Sequence, residues 1–367
     1  MTHMVTITAY GSGGEGVGRL DNGKVVFVRG AARGDVLEVQ LTKELPRSAW
    51  AAIVRIITPS AHRITPDCPY YPQCGGCDFR HLTYKEELDA KLKRVNDALM
   101  RIGGAAVLAD EILSTGHIDG YRNKAVFHAD GKSWGFYTAG SHDVISIKKC
   151  ALLKGDINFA LGSFASAELG SEITLRSGRN GLSPPLEEEL DGLVFRISGF
   201  FQVNTSAALL LYQKVREYAS MSSNETLLDL YCGVGSLAIF VGRDAGRVCG
   251  VELNAASIKA ARDNARRNGF AHMEFVAADA AKWDAHGIAP DCIIVDPPRS
   301  GLSRGAVQKI LELSPARIVY VSCDPATLAR DIRVLLEAYS PTKVCAVDMF
   351  PRTANVEAVA LLQRNDL

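Results

Sequence analysis

Nine cysteines in this 367-residue chain fall into groups with different chemical prospects. Cys68, Cys74 and Cys77 form C-x5-C-x2-C within the Pro- and Gly-rich stretch ITPDCPYYPQCGGCDF, and Cys150 follows at the end of a predicted strand. Three thiols within ten residues of such a loop share one metal centre without strain, with the fourth ligand supplied by the fold. Spacing alone leaves structural zinc and an iron–sulfur cluster equally open, since both need thiolates in a tetrahedral arrangement. Cys323 stands apart. It follows the apolar run RIVYV in Ser322-Cys323-Asp324-Pro325, so its thiol is presented at a strand terminus instead of inside a strand. Cys249, Cys292 and Cys345 lie within apolar runs and Cys232 in a tight turn, positions that suit packing.

Three further places mark a ligand crevice. The run TLLDLY enters Cys232-Gly233-Val234-Gly235-Ser236 and then a helical stretch. Glycines let the backbone turn tightly beside a ligand, and a helix N-terminus offers free N–H groups. Glu252 ends the next apolar run, 17 residues after Gly235, where a carboxylate takes both hydroxyls of a ribose. Asp279 ends the run after that, suited to the edge of an adenine. The third glycine of a dinucleotide fingerprint is missing, so a nucleoside without a pyrophosphate fits better than NAD. S-adenosylmethionine is the cofactor these residues point to.

A thiol beside that cofactor matches one reaction in particular. Carbon 5 of uracil is too weakly nucleophilic to attack a methyl sulfonium directly. A thiolate adding to carbon 6 makes an enolate whose carbon 5 attacks instead. The carbon-5 proton must then leave so that the thiol is eliminated, which calls for a base. Glu357, in Asn355-Val356-Glu357 before the apolar run AVALLQ, is the carboxylate available. Asp296 opens Asp296-Pro297-Pro298-Arg299 after the run CIIV. Asp-Pro-Pro there is familiar from enzymes that methylate exocyclic amines, but they place an aromatic residue where this chain has Arg299. Amine methylation is therefore one rival reading, and a non-catalytic RNA-binding iron–sulfur protein another.

The elements that must position these residues fall into three parts, 1–58, 59–198 and 199–367. Residues 4–57 hold about five short β-branched runs separated by Gly- and Asp-rich turns, which suits a small OB-like barrel. Residues 85–101 predict an amphipathic helix with Leu88, Leu92, Val95 and Leu99 on one stripe, ended by Gly103-Gly104. A hairpin is expected to turn at Asp130-Gly131, with VISIKKC as a third strand and a polar loop near 176–191. From about residue 205, helical segments alternate with uniformly apolar strands, the pattern of a doubly wound α/β parallel sheet covered on both faces. Ligands sit at the carboxyl ends of such strands, where every motif above lies.

Composition adds little about partners. Basic and acidic side chains number 41 each, so no net charge advertises nucleic acid or an anionic membrane. No apolar run approaches the roughly 20 residues of a membrane span, and the N-terminus lacks the features of a signal peptide. These features lead to the expectation of a cytoplasmic protein with no membrane and no protein partner.

FFQVN (200–204), DLYCGVGSLA (229–238), VDPPRSG (295–301), SCDPATLARD (322–331) and FPRTANVEAVALL (350–362) together resemble the RNA uracil-5 methyltransferases. Residues 4–57 resemble the TRAM domain found at the start of many members, so the likeness covers nearly the whole chain. It implies a class I methyltransferase fold, with Cys323 as nucleophile and Glu357 as the base that removes the carbon-5 proton. Gln202, Tyr231, Glu252 and Asp296 would line the cofactor and target-base site, with Asp279 near the adenine. Ser236 stands where an asparagine often follows the Gly-rich turn. The likeness also turns the choice at Cys68, Cys74, Cys77 and Cys150 towards a [4Fe–4S] cluster that shapes residues 61–150 for RNA. The implied partner is a structured RNA with an unpaired or flipped-out uridine, large-subunit ribosomal (23S) RNA favoured over transfer RNA. The barrel loops, Arg122, Lys124, Lys148 and Lys149 are the candidate contacts.

Overall fold

The computed structural model describes residues 1–104, 106–131, 133–163, 170–285 and 287–365. Alternating apolar residues close the first part into a barrel of β1 (Thr2–Tyr10), β2 (Gly16–Arg19), β3 (Val25–Val28), β4 (Val36–Glu44) and β5 (Ser48–Thr58), in the order β1-β2-β3-β5-β4. Val5, Ile7, Val26, Val28, Leu37 and Val39 fill it.

After the barrel, α1 (Tyr84–Ala98) starts at Thr83, whose side chain accepts from the Glu86 N–H, and runs on through a turn ended by Gly104 at φ 60°. Its buried face differs from the expected apolar stripe. Val95 and Leu99 are buried as anticipated, but Glu86, Glu87 and Lys91 are buried with them. Each has a partner: Lys91 Nζ donates to Glu87 Oε1 (2.7 Å), to Asp348 Oδ1 (2.6 Å) and to the Phe350 carbonyl (3.1 Å). Two carboxylates and a carbonyl thus replace the water that a buried ammonium loses. Lys91→Met would strand both carboxylates in the interior, so urea unfolding is expected to show a loss of about 3–5 kcal/mol.

Residues 59–198 are not one packing unit. Val95, Leu99 and Ala109 join the core of the large C-terminal sheet, and β6 (Ile112–Leu113) is its edge strand. A separate small sheet follows, formed by β7 (Lys124–Ala129), β8 (Trp134–Tyr137) and β9 (Val144–Ser146). Beyond α2 (Gly155–Leu161), β10 (Glu172–Arg176) completes it in the order β10-β7-β8-β9. The polar stretch near 176–191 is only partly a loop. Glu188 and Leu190 alternate inward, so β11 (Glu187–Leu190) pairs with β12 (Leu193–Arg196).

The C-terminal part contains α3 (Thr205–Ala219), β13 (Thr226–Leu230), α4 (Ser236–Gly242), β14 (Arg247–Glu252), α5 (Ala255–Arg267) and β15 (Glu274–Ala277). It continues with β16 (Cys292–Val295), α6 (Arg304–Leu313), β17 (Arg317–Ser322), α7 (Pro325–Leu335), β18 (Tyr339–Val347) and β19 (Glu357–Arg364). The sheet order is β15-β14-β13-β16-β17-β19-β18-β6. β13 to β17 run parallel, whereas β19 lies antiparallel to both β17 and β18. Apolar side chains on both faces of the strands build two separate cores. No helix among the described residues is long and apolar enough to cross a membrane.

Candidate active site

The reversed strand β19 brings the sulfur and the carboxylate together. Ser322, the last residue of β17, pairs with Ala358 of β19, so Cys323, one residue past that pair, comes out beside Glu357, the first residue of β19, 34 residues away in sequence. Asp296 follows β16, the other neighbour of β17. The loop after Asp296 is strapped to α7: Leu302 N–H and Tyr320 OH both donate to Asp331 Oδ2, at 2.8 and 2.7 Å. Arg330 Nη2 donates to the Ser300 carbonyl at 2.8 Å. Gly301 is required in that loop, at φ 79°, because a Cβ would lie 2.2 Å from Thr327 Cγ2.

Burial dominates the electrostatics. Glu357 is pushed up to about 8, first by desolvation and then by the Asp296 carboxylate, with Arg299 opposing. Desolvation also pushes Asp296 up to about 7. The Cys323 thiol is raised by burial and by Glu357 and Asp296, against which Arg299 pulls it down through charge and a hydrogen bond. Arg299 is thus the cation among two carboxyls and a thiol. The sequence reading used it only as the residue that replaces an aromatic; the signal it missed was that a half-buried thiolate needs a positive neighbour.

The cofactor side lies at the ends of β13, β14 and β15. Gly235, at φ 77°, is packed so tightly that a Cβ would meet Ala261 Cβ at 2.9 Å, while Gly233, at φ 54°, has nothing within 4 Å of that position. The turn is therefore closed towards the core and open at Gly233. Glu252 Oε1 accepts from Asn254 N–H (2.8 Å), and its Oε2 lies 3.4 Å from the Gly233 nitrogen. Asp279 Oδ1 accepts from Ala281 N–H (2.9 Å), fixing it at the end of β15. Tyr231 holds the unfavourable φ of 71°, and its N–H and that of Cys232 both donate to the Val251 carbonyl, at 2.9 and 3.1 Å. Backbone strain of this kind persists where surrounding structure enforces it. Asp229, buried beneath the turn, is pushed well above the usual carboxylate range by desolvation and by the Asp296 carboxylate, with the Ala238 N–H opposing. An open turn flanked by strand-end carboxylates fits a nucleoside carrying a cationic group. Ser236 faces the core instead, within 2.8 Å of Tyr212 Oη.

Gln202 is buried. Its carbonyl accepts from Asn123 Nδ2 (3.2 Å) and Arg176 Nη2 (3.3 Å). Asn123, unnoticed as a site residue in the sequence, also donates to Glu188 Oε1 (2.9 Å) and the Thr205 hydroxyl (3.2 Å). It ties the small sheet to the Gln202 loop.

Family models match three stretches of the chain: tRNA (uracil-5-)-methyltransferase over residues 282–365, TRAM domain over 2–54, and a general methyltransferase domain over 227–312. An uncharacterized RNA methyltransferase of Clostridium tetani is 32% identical, covering 98% of this chain and 96% of its own length. Another, from Thermosynechococcus vestitus, is 33% identical and covers 95% of each. The crystal structure of the Pyrococcus abyssi tRNA (uracil-54, C5)-methyltransferase with S-adenosyl-L-homocysteine matches at a TM-score of 0.79 and 25% identity, over 98% of this chain and 99% of that one. The chain belongs to the RNA uracil-5 methyltransferase family.

This methyltransferase carries the class I α/β fold behind a TRAM barrel, as the sequence implied. Cys68, Cys74, Cys77 and Cys150 line one cavity of about 400 Å³, together with Tyr70 and Phe136. Arg80, almost wholly buried on the cavity wall, is held by Asp67 and Asp119. Among the described residues, no group of three or more His, Cys, Asp or Glu side chains is arranged to hold a metal ion. Lys148 and Lys149 are exposed, whereas Arg122 and Lys124 are half-buried, Arg122 Nε donating to the Lys124 carbonyl at 3.1 Å.

Proposed function

We propose that this enzyme methylates carbon 5 of a uridine in structured RNA through a covalent bond between Cys323 and carbon 6. The observation that carries this reading is the gathering of Cys323, just past β17, with Glu357 at the start of β19, near enough to Asp296 and Arg299 for each to shift the others' charge. Cys323 adds to carbon 6, and Arg299 stabilises the thiolate before addition. Gln202, Tyr231, Glu252, Asp279 and Asp296 would hold S-adenosylmethionine, which when bound would supply the methyl group that carbon 5 takes. Glu357 then removes the carbon-5 proton, and the thiolate leaves as the carbon 5–carbon 6 double bond re-forms. A buried base near neutrality suits that step, because it can both take and release a proton at working pH.

Large-subunit ribosomal RNA is the substrate we favour from the sequence; the barrel supports RNA as the partner, and the likeness to the tRNA enzyme over 98% of the chain extends across it. Transfer RNA is the second reading, supported by the likeness to the Pyrococcus tRNA enzyme. Labelled methyl transfer to total RNA made without the enzyme decides between them: label in 5-methyluridine is expected, and its map position names the RNA. Label in a methylated amine would overturn the reading. The cytoplasm is the proposed compartment, one that keeps nine unpaired thiols reduced.

We further propose a [4Fe–4S] cluster on Cys68, Cys74, Cys77 and Cys150. Support comes from the donor set: four thiols line one cavity, as four-cysteine ligation of a cluster requires. The cluster would supply cross-linking of the loop to the small sheet; methyl transfer itself moves no net electrons. Cys150→Ser is expected to lose iron and weaken RNA binding, with cofactor affinity kept. Zinc in place of iron, or full RNA binding without iron, would sink this assignment.

A further inference from the structure

Arg94 has no part in the chemistry above, yet its guanidinium touches both loops that perform it. Nη1 donates to the Ala354 carbonyl at 2.7 Å, three residues before Glu357. Nη2 lies 3.5 Å from Oδ2 of Asp324, the residue after Cys323. The other Asp324 oxygen, Oδ1, accepts from Thr327 N–H at 2.9 Å and so caps α7. The Thr327 hydroxyl lies 3.1 Å from the Arg299 carbonyl, which carries the contact on to the Asp-Pro-Pro-Arg loop. Behind Ala354, its N–H donates to Asp78 Oδ2 at 2.9 Å. The barrel closes in from the same side, since a Cβ on Gly14 would come within 2.9 Å of Asp78 Cβ and 3.2 Å of Ala354 Cβ.

Glu357 opens β19 and pairs with Val347 of β18, but the loop leading into it and the nucleophile's position are not fixed by the sheet alone. Cys323 lies one residue beyond β17, and residues 348–356 connect β18 to β19 outside the ladder. A guanidinium is a planar fork whose donors reach two acceptors at once, whereas an ammonium is a compact charge on a flexible stem. Only 24% of the Arg94 side-chain surface is exposed, and α1 is anchored through Lys91 to residues 348 and 350. The fork is therefore mounted on a rigid base.

We propose that Arg94 is a positioning residue that clamps the nucleophile loop to the base loop, and so sets how Cys323 and Glu357 meet the uracil. The proposal rests on the reading of those two residues as nucleophile and base. It makes the middle part of the chain a working piece of the catalytic site, because α1 supplies the clamp.

Single-turnover adduct formation tests it, using S-adenosylmethionine and substrate RNA bearing 5-fluorouridine. Fluorine on carbon 5 cannot leave as a cation, so the Cys323 adduct persists and can be counted. Arg94→Met is expected to slow adduct formation about 100-fold, and Arg94→Lys about 10-fold, the scale on which a misplacement near 1 Å is felt. Cofactor and RNA dissociation constants should stay within about twofold of wild type, a split that a merely structural role would not produce. Asp324→Asn keeps the helix cap but loses the ion pair, so it should slow the step alone and add nothing to Arg94→Met. It carries the test if Arg94→Met does not fold. Wild-type rates in Arg94→Lys and Asp324→Asn, whatever their melting temperatures, overturn the proposal. Absence of adduct in the wild type would instead remove the covalent reading beneath it.

Discussion

Cys323→Ala is expected to abolish methyl transfer, by at least about 10⁴-fold, while S-adenosylmethionine and RNA still bind. Removing a nucleophile from a concerted set costs this much because the remaining groups have nothing to act on. Cys323→Ser should be nearly as inactive: a hydroxyl in the same place ionises far less readily than a thiol, and the carboxyls of Glu357 and Asp296 already oppose a negative charge there. The measurement is turnover with labelled cofactor, beside equilibrium binding of cofactor and RNA. Activity above a hundredth of wild type in the alanine variant would rule out the covalent route and return amine methylation to consideration.

Glu357→Gln separates the two halves of the reaction and changes stability in the opposite sense. Without the base, carbon 5 keeps its proton after methylation, so a covalent protein–RNA species should accumulate and survive denaturing electrophoresis. Turnover should fall by about 10²–10⁴-fold. Stability follows from the direction of the shift. Folding raises the Glu357 carboxyl from an ordinary 4.5 to about 8, so the folded protein holds a proton that the unfolded chain has released across that interval. Stability contributed by this residue is therefore intact below about pH 4.5 and lost as pH rises through 8. Glutamine carries no charge to bury, so the variant should gain on the wild type with rising pH, reaching about 3–5 kcal/mol above pH 8. Melting temperatures at pH 5 and pH 8.5 check this; an equal difference at both pH values would mean that Glu357 is not the buried acid. In the wild type, turnover should rise with pH towards 8 as the base ionises.

Much of the catalytic sheet was legible because its residues speak locally. Uniformly apolar runs, glycine turns and polar residues at run ends announce parallel strands and their working edge, and Cys323, Glu252, Asp279 and Asp296 all stand there. The barrel was legible for the same reason, through alternation at period two. What could not be read depends on partners distant in sequence. Lys91 looks like a surface charge on a helix until Asp348, 257 residues away, is brought against it. Asn123 looks like a loop asparagine until Glu188, Gln202 and Thr205 surround it. Arg299 could be seen as a departure from one pattern, but its use required knowing that a half-buried thiol and two carboxyls lie within reach of its charge. The four cysteines of the cavity announced their number and grouping, yet no spacing rule states how far apart folding leaves the sulfurs.

The route by which β6 and α1 enter the large sheet has a consequence for exchanging parts between relatives. Chain order suggests three cassettes, but residues 84–113 are interleaved with 205–365, supplying an edge strand and part of one core. A fragment beginning at residue 199 would leave β18 with a bare hydrogen-bonding edge and expose the apolar surface that Val95, Leu99 and Ala109 cover, the makings of intermolecular strand pairing. A chimera that respects packing would move 84–113 together with 205–365 and keep Asp78, Asn123 and Arg176, which hold Ala354 and Gln202, leaving the rest of the barrel and the small sheet as the portions free to vary. RNA preference can then diversify in those portions without disturbing the reacting pair.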